Sequence, residues 1–123
     1  MTTRHPADRG ELGRCGEALA CARLTAAGLR TVARNWRCQT GEIDVVAEGP
    51  GLLVFCEVKT RRGDGYGTPA AAVDAAKQLR LRRLAGAYLR ATPHRPCRVR
   101  FDVVTIIWPR RGQPRVEHLE GVL

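Results

Sequence analysis

Lysine is nearly missing from this chain. Of its 21 basic residues, Lys59 and Lys77 are the lysines and the others are arginines. Arginine's planar fork suits bidentate phosphate contact better than an ammonium does. A compositional bias toward Arg, Ala and Gly gives the same skew without any ligand, so the two lysine positions carry more information than the abundance of arginine. Paired cysteines are missing too. Cys15, Cys21, Cys38, Cys56 and Cys97 make an odd count with no CxxC spacing, which argues against a disulfide framework and a zinc site. They are expected as small buried hydrophobes in a reducing compartment. No apolar run approaches the roughly 20 residues that span a bilayer. The stretch from Met1 to Glu11 lacks the apolar centre of a signal peptide, so a cytoplasmic protein is expected. Aromatic residues make up 5% of the chain and form no stacking ladder; with no recognition-helix pattern either, readout of base sequence is disfavoured. Internal repeats and low-complexity segments are absent.

What is present is positive charge. A formal net charge of +9 and a pI near 10.4 create a field that attracts polyanions, nucleic acid before membrane. At 123 residues the chain has the length of one domain with a real core. Residues 1–10 are polar and expected to be mobile, and 11–123 are expected to form the domain.

The run "ELGRCGEALACARLTAAG" reads as a helix stopping at Gly28. Gly13, Glu17, Ala20 and Leu24 share its stripe at helical spacing, which sets a carboxylate among small and apolar neighbours. "LRTVARNWR" and "GEIDVVAEG" read as two strands joined at Cys38 to Gly41, and "EGPG" turns the chain into a third strand, "LLVFCEVKT". That strand is apolar almost throughout, as suits a central strand covered on both faces. After the glycine-rich "RRGDGYGTP", residues 70–91 read as a second helix with a break near Asp74, its stripe formed by Lys77, Leu81, Leu84 and Tyr88. "RPCRVRFDVVTIIWP" and "PRVEHLEGVL" complete the pattern as a strand and a short edge strand. The order predicts an α/β fold, a mixed sheet of about five strands flanked by helices.

Glu57 and Lys59 sit on one face of the third strand, their Cα atoms roughly 7 Å apart. Alternation also groups Glu42, Asp44, Val46 and Glu48 on the second strand. A loop from Gly49 to Leu52 would pair Glu48 with Leu53 and Asp44 with Glu57, whereas a loop one residue shorter would send the two acids to opposite faces. Two buried carboxylates at close range push a proton onto one of them unless a cation intervenes. Asp44, Glu57 and the carbonyl of Val58 are hard oxygen donors suited to Mg²⁺ or Mn²⁺, with positions left for water and a substrate phosphate. Lys59 would then orient the attacking water or neutralise developing charge. Glu17 would add a ligand, directly or through water, if the first helix packs over this face. Lys77 or Gln78 would reach the same place from the second helix. The plainer alternative is a structural salt bridge from Lys59 to Glu57 or Asp44. A thiol nucleophile is disfavoured, because Cys56 alternates away from Glu57, and His5, His94 and His118 stand in no motif.

The segments "GRCGEALACARLTAAG", "RNWRCQTGEIDVVA", "VFCEVKTRRGDGYGTPAAAV" and "RFDVVTI", with the Lys77 region, resemble the YraN family of predicted endonucleases over about residues 10–107. That family is similar to archaeal Holliday junction resolvases within the PD-(D/E)xK nuclease superfamily. The resemblance implies a restriction-endonuclease-like fold and metal-dependent cutting of DNA, with Glu17, Asp44, Glu57 and Lys59 matching the superfamily's acids and lysine. The proline that precedes the superfamily's first aspartate is replaced here by Ile43, as the GEID form of the motif leads one to expect. The expected function is a Mg²⁺- or Mn²⁺-dependent DNA endonuclease selective for structure, such as branched DNA. Arg61, Arg62, Lys77, Arg80, Arg82 and Arg83 would contact the backbone, and a homodimer is expected by analogy with enzymes that cut paired strands. The alternatives are a noncatalytic nucleic-acid-binding module or repair-assembly subunit, and a small phosphodiester hydrolase.

Overall fold

A computed structural model describes residues 6–63, 74–95 and 97–122. The elements run α1 (Arg9–Ala26), β1 (Arg30–Cys38), β2 (Gly41–Gly49), β3 (Leu52–Arg62), α2 (Ala75–Ala91), β4 (Arg98–Trp108) and β5 (Arg115–Leu119). The sheet has the order β1-β2-β3-β4-β5. Its neighbours are antiparallel except β3 and β4, which run parallel. A parallel pair needs a crossover, and α2 lies within it. The fold is therefore α/β with a mixed five-stranded sheet and two helices, as the order of segments predicts and as a restriction-endonuclease-like fold requires.

Helix α1 starts at Arg9 because the Asp8 side chain accepts the Glu11 N–H at 2.7 Å, a cap that satisfies one of the first turn's free donors. The domain thus begins ahead of residue 11. Pro6 is buried and its carbonyl accepts a hydrogen bond from Arg62. Helix α2 has the same kind of start, Asp74 accepting the Lys77 N–H at 2.8 Å; the earlier part of the expected helix, residues 70–73, lies outside the described residues.

Each face of the sheet carries its own apolar layer. On the α1 side Leu12, Ala20, Leu24 and Leu29 pack with Val45, Ala47, Val54, Cys56, Val104, Ile106 and Trp108. On the α2 side Leu81, Leu84, Ala85 and Tyr88 pack with Ile43, Val46, Leu53 and Phe55. Strand β3 supplies alternate residues to both layers, and Val54, Phe55 and Cys56 are wholly buried. Each large apolar side chain so placed contributes roughly 1.5–3 kcal/mol. Tyr88 adds edge-to-face contacts to Trp36 and Phe55, at ring-centre distances of 5.3 and 5.5 Å.

The buried stripe of α1 is Leu12, Gly16, Ala20 and Leu24, rotated from the expected one so that Gly16 replaces Gly13 and Glu17 falls at the edge. The cause is a close approach: a Cβ at position 16 would overlap the Thr60 side chain of β3. Only glycine lets the helix seat there. Of the cysteines, all free, Cys56 alone is buried and the other four are half-buried, so the expectation for this residue type holds in full at one position.

Candidate active site

Strands β2 and β3 form a hairpin whose ladder runs from Gly49↔Leu52 through Glu48↔Leu53 to Val45↔Cys56. Pro50 and Gly51 make the turn, with Gly51 at φ 64°, the residue order that a type II turn favours. This is the register in which Asp44 stands across from Glu57. Both acids face α2, and together with Glu42, Arg80, Leu81 and Leu84 they line a cavity of about 40 Å³, room for one or two waters or an ion.

The ladder changes character at Asp44. Instead of continuing the backbone pairing, the Asp44 carboxylate accepts the Val58 N–H at 2.8 Å. The N–H and C=O of one strand residue point toward the same neighbour, so the Val58 carbonyl is also directed at β2. Across on β1, Arg34↔Val45 and Trp36↔Ile43 pair around Asn35, which takes a left-handed φ of 52°. Strict alternation breaks here too, since Ile43 and Val46 both join the α2-side layer.

Asp44 is short of positive charge. Burial raises its carboxyl from 3.8 to about 6; the Val58 N–H opposes this, and the charges of Glu57, Glu17 and Glu42 push it further up. Each of those three neighbours has an arginine. Glu57 is 3.3 Å from Arg80, Glu42 is 3.3 Å from Arg37, and Glu17 is 3.7 Å from Arg34. Glu17 also accepts from the Asn35 side-chain amide at 3.0 Å. The structure therefore brings Glu17 into the electrostatic neighbourhood of Asp44 while binding its carboxylate to β1.

Lys59 alternates onto the face of Glu57, half-buried, beside Thr105 in the parallel register. Among the described residues it makes no ion pair with Glu57 or Asp44, and the salt bridge to Glu57 comes from Arg80 instead. Arg61 is exposed farther along β3. Arg62 alternates to the opposite face and holds Pro6, so the structure does not bring it to the acids. Lys77 and Gln78 are half-buried in the first turn of α2. Arg82 lies 5.9 Å from the centre of the Phe101 ring, and Arg83 is exposed. Arg34 and Asn35 were not anticipated; an asparagine inside an otherwise strand-like segment, a residue type that favours turns, was the available signal.

The family described as "Uncharacterised protein family UPF0102" matches residues 16–106. The chain belongs to that family. A UPF0102 protein of Streptomyces griseus subsp. griseus is 53% identical over 115 residues, covering 93% of this chain and 97% of the relative. Another, from Mycobacterium avium, is 47% identical over 124 residues, covering 99% and 97%. The matched UPF0102 span holds Glu17, Asp44, Glu57, Lys59 and Arg80, while β5 falls beyond it.

Among the described residues of this UPF0102 chain, no three His, Cys, Asp or Glu side chains form a ready metal-binding group. The donor set is instead two carboxylates and a carbonyl. Such a set could hold a hard cation that keeps water and draws further ligands from a phosphate. Also among the described residues, no helix is long and apolar enough to cross a membrane.

A second polar cluster, unforeseen, lies on the other face. Asp102 is fully buried and accepts from Arg100 Nε and Nη2 at 2.9 and 2.8 Å, from His118 Nε2 at 2.7 Å and from the Gly121 N–H at 3.0 Å. Its hydrogen bonds raise the Arg100 pKa still further. The cluster ties β5 and the chain beyond it to β4, and every acceptor direction is used.

Proposed function

We propose that this chain is a metal-dependent DNA endonuclease that hydrolyses phosphodiester bonds and selects its substrate by structure, branched DNA foremost. The supporting observation is the hairpin register that sets Asp44 across from Glu57 at one small cavity, with the Asp44 carboxyl raised to about 6. The resemblance of the GEID and EVKTR segments to the YraN family, and through it to junction resolvases, points the same way.

Asp44, Glu57 and the Val58 carbonyl would hold Mg²⁺ or Mn²⁺. When bound, such an ion supplies Lewis-acid polarisation of the phosphodiester and acidifies coordinated water. The protein's own groups do the rest. The Val58 N–H fixes one Asp44 oxygen, so the carboxylate meets its ligand already oriented. Lys59, on the same face and without an acid partner among the described residues, carries the ammonium that orients the attacking water and offsets charge as the bond breaks. Arg61, Arg83 and the first turn of α2 would attract the phosphate backbone without reading bases. A homodimer, one site for each of two paired strands, belongs to the same reading.

The test is cleavage of branched, single-stranded and duplex DNA by the purified protein with and without Mn²⁺. Asp44→Ala and Glu57→Ala are expected to lower the cleavage rate by at least about 100-fold while leaving DNA affinity within a few-fold, and Lys59→Ala to lower the rate less. Tight DNA binding with no metal-dependent cutting of any of the three substrates would instead identify a noncatalytic nucleic-acid-binding module.

A further inference from the structure

Three acids surround Asp44, and each is paired with an arginine, but one of those pairs differs in placement. Arg37 and Arg34 hold Glu42 and Glu17 from strand β1, whereas Arg80 reaches in from α2 and lines the cavity shared by Asp44 and Glu57. Its contact with Glu57 is a single nitrogen on a single oxygen at 3.3 Å, and its side chain is 55% exposed against 17% for Glu57. The Arg100–Asp102 pair shows what a committed contact looks like in the same molecule: two nitrogens on two oxygens at 2.9 and 2.8 Å, with the carboxylate wholly buried. A one-point, solvent-anchored pair belongs to the weak class of ion pairs, and a divalent ion on the same carboxylate would repel the guanidinium at short range.

We propose that Arg80 is a displaceable counter-ion. In the metal-free protein it neutralises Glu57 at the cavity; when a divalent cation is held by Asp44 and Glu57, it is expelled and turns its guanidinium outward to a phosphate of the DNA. This rests on the metal-site reading above and adds an ordering to it. The exposed stem of Arg80 gives the side chain freedom to serve both positions, and arginine's fork suits the phosphate as well as the carboxylate. Arg80 thus links metal loading to DNA engagement, a coupling that acts in both directions.

The experiment measures Mn²⁺ binding without DNA, from the electron paramagnetic resonance signal of free Mn²⁺, in the wild type and in Arg80→Ala, Arg90→Ala and Asp44→Asn. Removing the competitor is expected to tighten Mn²⁺ binding about three- to tenfold in Arg80→Ala, on the scale of an exposed ion pair. Arg90→Ala, which removes the same charge from the last turn of the same helix, is expected to change it less than about twofold, and Asp44→Asn to abolish it. Equal Mn²⁺ affinity in wild type and Arg80→Ala, with Asp44→Asn still defective, overturns the displacement while the metal site stands. Equal gains in Arg80→Ala and Arg90→Ala overturn it as well, since they report net charge alone. Absence of Mn²⁺ binding by the wild type overturns the metal site and the displacement together.

Discussion

Two aspartates on one sheet have opposite circumstances. Asp102, on β4, meets four hydrogen-bond donors, two of them from one guanidinium, and no acceptor direction is left over. Asp44, on β2, meets one N–H and the charges of three other acids. A fully satisfied buried carboxylate holds a structure together, and an under-compensated one is held in place by the structure at a free-energy cost. Strain of that second kind is characteristic of sites that await a ligand.

The contrast is testable by substitution. The largest effect is expected from Asp102→Ala, which leaves His118 without its carboxylate and Arg100 with the looser pair to Glu120: a loss of about 3–5 kcal/mol, read as a fall in Tm of more than about 10 °C. Asp44→Asn is expected to move stability the other way. The folded protein keeps the Asp44 proton up to about pH 6, whereas the ordinary value is 3.8. The contribution of this group is therefore fully present below that lower value and is lost as pH rises through the higher one. At pH 7 the charged form costs roughly 3 kcal/mol, which Asn removes while still accepting from Val58. Metal-free Asp44→Asn should be more stable than wild type at pH 7, and the gap should close as pH falls from 6 toward 3.8. Thermal unfolding across that range, in chelator, measures it; equal curves would dissolve the distinction between the two aspartates. The smallest effect is expected from His118→Gln, about 1 kcal/mol for one hydrogen bond to Asp102, and stability unchanged there would show that Arg100 and Gly121 suffice.

Much of this was legible in the sequence, for reasons that differ by residue. The period-two pattern of β2 and β3 and the glycine-proline turn predicted the hairpin but left two registers open; the observed ladder, with Glu48 opposite Leu53, is the one that places Asp44 across from Glu57. Glu57 drew notice because a charge interrupts an apolar central strand. Asp102 interrupts β4 in the same way, yet its partner His118 lies 16 residues away and becomes visible only once β5 pairs back on β4. Glu17 was expected within the helix stripe and sits at its edge, because the rotation of α1 is decided by the fit of Gly16 against Thr60, a steric matter that spacing does not encode. The ion pair weighed as the plainer alternative joined Lys59 to Glu57 or Asp44. Arg80 takes that place from a different element, since a long side chain on a docked helix can reach where an alternating strand neighbour does not.

The parallel pairing of β3 with β4 has a kinetic consequence. Leu52 meets Arg98 across a separation of 46 residues, whereas Asp44 meets Val58 across 14, and closing the longer loop carries the larger entropic penalty. The acidic hairpin is thus the locally assembled part of the molecule. Arg80 reaches Glu57 across 23 residues, from the crossover that completes the sheet.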